Sequence, residues 1–229
     1  MTAILSPTAL DGHCVTFRKW MTRQLTWEKL IEYGAVTSEI RGLFESAIQA
    51  HVGILISGGT TSGKTTMANR VIELIPPEER IVVAEETHQY QFTHPSAVLL
   101  EAQGTPNMTM NDLLTAASKM RPDWLVVGEL EGAEAMRAMQ LFGTGYSGLT
   151  VIHAINAENA LTRLETTCLM ANLGLGMEDI RQIIVSGLRL IAYQERLPDG
   201  NRKVVQLVEL KGLEDGRYVL QPLMRYDPK

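Results

Sequence analysis

Lys64 stands directly behind Gly63 and ahead of Thr65 and Thr66 in the run ISGGTTSGKTTMANR, residues 56–70. The positions Gly58, Gly59, Thr60, Thr61, Ser62, Gly63, Lys64 and Thr65 fit the pattern G-x-x-x-x-G-K-[ST]. Glycine permits backbone angles closed to other residues and lets its amides approach an anion. Those amides, with the N-terminus of a following helix, make a positive pocket for the β- and γ-phosphates of a nucleotide. Lys64 adds a point charge there, and the Thr65 hydroxyl is suited to ligate Mg²⁺. A glycine turn without a ligand needs no particular flanks. A phosphate cradle must follow a strand and open a helix, and this stretch, preceded by VGILI, does both.

A nucleotide hydrolase must also place its metal and orient a water molecule. Ligands of parallel sheets sit at the carboxyl ends of the strands, so residues at those ends are the candidates. Three qualify: Glu85 ends IVVAE, Glu129 ends LVVGE and His153 ends LTVIH. Alone, each glutamate reads equally well as a solvated loop residue, and the histidine reads more readily as a structural one. Three such ends converging on one phosphate loop favour the chemical reading.

The elements that must position them follow from hydrophobic periodicity. Short apolar runs at 53–57, 81–85, 97–101, 124–129 and 149–154 alternate with helical patterns at about 65–75, 110–120, 132–142, 157–171 and 177–187. Strands rich in Val, Ile and Leu on both faces, each followed by a helix, predict an α/β fold with a mostly parallel sheet buried between helices. Upstream, 26–34 and 38–52 have helical spacing, with Ser38 a candidate N-cap, and CVTFRKW (14–20) alternates like a strand. A last strand pair, LRLIAYQERL and RKVVQLVEL, flanks the turn signal PDGN.

The bulk numbers narrow the classes. The 229 residues are 45% hydrophobic and 21% charged, values of a globular chain, and the formal charge is −5. That charge argues against a surface built to hold nucleic acid by counterion release. No run approaches 18 uninterrupted apolar residues, and MTAILSPTALDGH lacks the basic start and apolar core of a secretory signal, so a cytoplasmic protein is expected. Cys14 and Cys168 are far apart with no CxxC spacing, which excludes a four-cysteine zinc site and makes a disulfide unexpected in a reducing compartment.

The ordered motifs GGTTSGKTT, ERIVVAEET…Q, KMRPDWLVVGELEG, GTGYSGLTVIHA, ALTRLE and R.PDGNRKV resemble the secretion traffic ATPases. These are the RecA-like motors of type II and type IV secretion, conjugal transfer and tight-adherence pilus assembly. The match runs from about residue 14 to 210 and is more specific than the phosphate loop alone. The resemblance implies a RecA-like P-loop core with ATP and Mg²⁺ as ligands. Residues 58–66, Thr66 included, correspond to the Walker A box, and Glu85-Glu86 to an acidic box. Glu129 matches an atypical Walker B glutamate, His153 a His-box histidine and Arg163 the arginine of RLE. It further implies a homohexameric ring, peripheral at the cytoplasmic face of the inner membrane, partnered by inner-membrane proteins of the machine. Residues 1–36 correspond to the remnant of an N-terminal domain and linker, with Arg18 at their joint, and 37–229 to the C-terminal ATPase domain. EETHQYQ, with Thr87 and Gln91, is most similar to the conjugal-transfer branch, with the tight-adherence branch the near competitor.

Several positions depart from the family pattern. Thr61 replaces a glycine, Tyr146 a histidine, Glu131 and Lys119 arginines, and Gln103 an arginine following LLE. Positive charge is thereby reduced around the expected nucleotide, which leaves Arg121, Arg137 or Arg163 to reach the phosphates. Two alternatives stay open: a nucleotide-binding scaffold that does not hydrolyse, and a nucleic-acid translocase on the same core, disfavoured by the net charge.

Overall fold

The computed structural model describes residues 2–17, 25–103 and 107–227. Arg18 and the rest of CVTFRKW beyond Phe17 lie outside the described residues. A two-stranded antiparallel hairpin, β1 (Thr2–Ile4) and β2 (Cys14–Thr16), comes first, and its strand residues are exposed. Next come α1 (Trp27–Glu32) and α2 (Ser38–Gln49). The cap of α2 corrects the sequence expectation: Thr37, not Ser38, is the N-cap, its side chain accepting the Ile40 amide at 3.3 Å. Thr37 has the extended backbone that a cap requires, whereas Ser38 is already helical.

The main sheet has six parallel strands: β3 (Ile54–Gly58), β4 (Ile81–Glu85), β5 (Ala97–Glu101), β6 (Trp124–Glu129), β7 (Ser147–His153) and β8 (Leu190–Arg196). Antiparallel β9 (Arg202–Glu214) and β10 (Arg217–Arg225) extend one edge, giving the order β10-β9-β8-β3-β7-β6-β4-β5. Between strands run α3 (Lys64–Ile72), α4 (Met110–Lys119), α5 (Glu134–Gly143), α6 (Ala157–Leu169) and α7 (Met177–Gly187). Strand alternation sends successive side chains into two cores. Ile54, Ile56, Ile81, Val83, Trp124 and Val126 pack with residues of α1, α2 and α3. Leu55, Val82, Ala84, Leu125 and Val127 pack with α4, α5, α6 and α7. Each fully buried Val, Leu or Ile among them contributes about 1.5–3 kcal/mol of transfer free energy, so both faces must be covered, as the continuous apolar runs predict.

Trp27, Leu30, Ala35 and Val36 belong to the first of these cores, and the Trp27 indole donates to the Arg70 carbonyl at 3.1 Å. Trp27, Leu30, Ala35 and Val36 thus share one core with residues of α3. No helix among the described residues is long and apolar enough to cross a membrane.

Candidate functional site

Strand β3 lies at the middle of the sheet, and its last residue, Gly58, is in register with His153 of β7 and Gln194 of β8. A side chain does not fit there. A Cβ on Gly58 would lie 2.3 Å from the Gln194 carbonyl and 2.4 Å from Ser62 Oγ. The chain then turns through residues 59–63 into α3. Gly63, with φ 102°, is the helix N-cap and makes no side-chain capping bond. The first-turn amides of α3, which have no intrahelical acceptor, therefore face the loop with no acidic side chain in that turn. That arrangement suits an anion.

Thr61 has φ 62°, in the left-handed region. A β-branched residue is costly there, by about 1–2 kcal/mol. Glycine, expected at this position from the resemblance, carries no such cost. The sequence departure at 61 thus places a strained residue in the loop. Two buried polar atoms near the loop, Ser62 Oγ and Gln194 Oε1, have no protein partner.

Lys64, only 8% exposed, places Nζ 3.2 Å from Glu129 Oε1 and 3.4 Å from the Gly59 carbonyl. Glu129 reaches it because β6 is irregular against β7: the register shifts between Val126 and Glu129, and Thr150 Oγ1 donates to the Gly128 carbonyl at 3.0 Å. His153, in register with Gly58, and Glu129 both line a cleft of about 1010 Å³. Thr60, Thr61, Ser62, Gly63, Lys64, Thr65 and Thr66 form part of its wall, and Leu30, Tyr33 and Ala35 add an apolar side. The structure therefore brings together the phosphate loop, Glu129 and His153.

Glu85 does not join them. It ends β4 and is 3% exposed, but it is not among the described residues lining the cleft. Its Oε1 accepts the amides of Gln89 at 2.9 Å and Tyr90 at 3.1 Å, and Oε2 lies 3.0 Å from His88 Nδ1. Burial raises its pKa, while the bonds from Gln89, His88 and Tyr90 pull the other way. The sequence EETHQY bends back over its own strand end, so the carboxylate braces that loop. Gln89 and Gln91, which follow, do line the cleft.

Among the arginines singled out from the sequence, Arg163 lines the cleft; Arg121 and Arg137 are not among its described lining residues. Glu131 also lines it, whereas Tyr146 lies at the N-terminal end of β7, the end away from His153, where its hydroxyl donates to the Ser118 carbonyl at 3.0 Å. Gln103 is occupied by the Thr87 hydroxyl. Sequence reasoning missed Arg202, which lines the cleft and donates from Nε to the Thr61 carbonyl at 2.8 Å. The PDGN turn was the available signal, but only the pairing of β8 with β3 carries that turn to the phosphate loop.

A central parallel sheet with a glycine-bearing loop opening α3 and a glutamate paired to its lysine is the architecture of a P-loop nucleotide-binding core. The family model described as Type II/IV secretion system protein matches residues 3–208, and the chain belongs to this family. The probable conjugal transfer protein TrbB of Sinorhizobium fredii is 33% identical over 221 residues, covering 95% of this chain and 66% of that protein. The type IV secretion system protein PtlH of Bordetella pertussis is 33% identical over 178 residues, covering 73% of this chain and 52% of its own length. The crystal structure of the VirB11 ATPase from the Brucella suis type IV secretion system, in complex with sulphate, superposes with a TM-score of 0.69. The identity is 26%, over 82% of this chain and 57% of that one. The pilus retraction motor PilT with bound ADP gives a TM-score of 0.65 at 20% identity, covering 92% of this chain and 56% of that one, a likeness of fold. The chain spans only part of the length of each of these relatives. The RecA-like α/β fold expected from the resemblance is the fold observed.

Proposed function

We propose that the chain is an ATP-hydrolysing motor of a type IV secretion, conjugal-transfer or pilus-assembly machine. It would couple hydrolysis of Mg²⁺-ATP to movement of a substrate or pilin at the inner membrane. The observation that carries this reading is the convergence, in one cleft, of the Lys64 ammonium, the Glu129 carboxylate 3.2 Å from it, and His153 beside Gly58.

In this reading the amides of residues 59–66 and Lys64 hold the β- and γ-phosphates. Phosphate competes with Glu129 for Lys64, and the released carboxylate orients and deprotonates the attacking water. His153, at the end of the neighbouring strand, senses the γ-phosphate. Glu85 acts through the loop it braces, keeping Gln89 and Gln91 in the cleft wall. Leu30, Tyr33 and Ala35 offer the base an apolar surface. The Thr65 hydroxyl would hold Mg²⁺, whose charge neutralises the phosphate oxygens. Thr65, in the first turn of α3, is the residue that would hold the ion accompanying a bound nucleotide. The orphaned Ser62 Oγ and the open first turn of α3 fit such a ligand.

The working unit in this proposal is a homohexameric ring, peripheral at the cytoplasmic face of the inner membrane and engaged with membrane proteins of its machine. The net charge of −5 gives no support to stable nucleic-acid binding. ATP turnover measured together with native mass tests the proposal. Lys64→Ala is expected to lose nucleotide binding by about 100-fold or more, since it removes a charge-assisted contact from a largely buried position. Turnover by Lys64→Ala at the wild-type rate would overturn the assignment. Tight ATP binding by a hexamer without turnover would instead identify a scaffold subunit.

A further inference from the structure

The phosphate loop has two residues in the left-handed region, Thr61 at φ 62° and Gly63 at φ 102°, and one side chain lies against both. Arg202 Nε donates to the Thr61 carbonyl at 2.8 Å, from 141 positions away in sequence. A Cβ on Gly63 would sit 3.2 Å from Arg202 Cδ and 3.0 Å from Gln194 Nε2, so the arginine stem runs close beneath that glycine too. The root of the arginine is fixed. Gln194 of β8 is in register with Gly58 of β3, and the β8–β9 turn closes through Leu197 N–H donating to the Asn201 carbonyl at 2.7 Å. Arg202 is the first residue of β9 after that turn.

We infer that Arg202 is a positioning residue that clamps the phosphate loop in its anion-binding conformation and offsets the strain of threonine at position 61. A charge-assisted bond to the Thr61 carbonyl holds that peptide in the orientation the left-handed angle imposes. With glycine at 61 the loop keeps the same shape without help. The clamp rests on the nucleotide reading above for its purpose, but its mechanical part can be measured without nucleotide. The competing account is that Arg202 acts only as a positive charge on the phosphates. That charge would act equally whether residue 61 is threonine or glycine, whereas a clamp matters only when residue 61 is strained.

Four full chains separate the two accounts: wild type, Arg202→Gln, Thr61→Gly and the double variant. Affinity for a fluorescent N-methylanthraniloyl ATP with Mg²⁺ is read by titration, and amide hydrogen exchange is read over residues 58–64. Arg202→Gln is expected to weaken binding about tenfold in the threonine background and about threefold or less in the glycine background. The Ser62 amide, which donates to the Gly59 carbonyl at 3.2 Å, should exchange faster on losing Arg202 only when residue 61 is threonine. Equal loss of affinity in both backgrounds, or no loss in either, would overturn the clamp. If the wild-type chain fails to bind the probe, the nucleotide reading falls. The exchange pattern then decides the clamp alone, with faster exchange confined to the threonine background supporting it and equal exchange refuting it.

Discussion

Replacing Glu129 by glutamine should make the protein bind ATP more tightly and hydrolyse it far more slowly. Lys64 Nζ and Glu129 Oε1 are 3.2 Å apart, with side-chain exposures of 9% and 34%. At that separation the raw attraction is about 5 kcal/mol for an effective dielectric of 20. A third of the Glu129 side chain meets water, and screened pairs of this kind measure near 0.2–1 kcal/mol, so a net value of about 1 kcal/mol is appropriate. Any phosphate that recruits Lys64 must displace this partner and then tolerate its negative charge nearby. Glutamine removes both penalties while keeping the size of the side chain, giving an affinity gain of about five- to tenfold. It cannot take a proton from water, so the rate constant for hydrolysis should fall by about 10²–10⁴. Titration with a non-hydrolysable ATP analogue gives the first quantity, and steady-state phosphate release gives the second. The salt dependence of the affinity gain should be shallow, since the lysine is largely shielded. Hydrolysis at the wild-type rate by Glu129→Gln, or weaker binding of the analogue, would refute the reasoning.

The close approach at Gly58 predicts that Gly58→Ala costs about 2 kcal/mol of overpacking, because the strand is held on both sides by β7 and β8. Its melting temperature should drop by about 4–8 °C, with nucleotide binding lost, as scanning calorimetry and titration would show. Burial raises the Glu85 carboxyl above its ordinary 4.5 in the folded state, so its contribution to stability is full below that value and is lost as pH rises through the raised one. Glutamine does not titrate and keeps an acceptor for the Gln89 and Tyr90 amides. The melting temperature of wild type minus that of Glu85→Gln should therefore fall between pH 4 and pH 7, and a rise would contradict the burial argument. Cys14 is exposed, while burial, then Glu134 and Glu165, push the Cys168 thiol up to about 12. Iodoacetamide at pH 8 should add one label to the native protein and two in denaturant, by intact mass.

The parts legible in the sequence were those written locally. The strands at 81–85, 97–101 and 124–129 and the helix at 177–187 fall where the periodicity puts them, because each is a short apolar run or amphipathic face bounded by polar residues. The phosphate loop was legible because its spacing is itself the geometry. Strand β10, RYVLQPLMR, escaped notice since an edge strand half-open to water lacks an apolar signature and tolerates Pro222. Thr37 and Ser38 are both capping residue types, and only the backbone decides which one stands outside the helix. A strand-end position fixes where Glu85 begins but not where its carboxylate points; the amides of Gln89 and Tyr90 decide that. Arg202 depends on a strand pairing that no local pattern encodes.

The pairing of β3 with β8 also bears on the order in which the protein takes shape. The Ser57 hydroxyl donates to the Ala192 carbonyl 135 positions later, and the left neighbour of β3 in the sheet does not exist until residues 190–196 are made. During synthesis from the N-terminus, residues 58–66 leave the ribosome long before their flanking strand and hairpin. A nascent chain ending before residue 190 has the complete phosphate-loop sequence yet only one side of its seat. Contacts this distant form late and slow the search for the native state. On the proposed nucleotide reading, capture of ATP would be deferred until the strand at 190–196 has been synthesised, and ATP would select the finished core over its partly folded precursors.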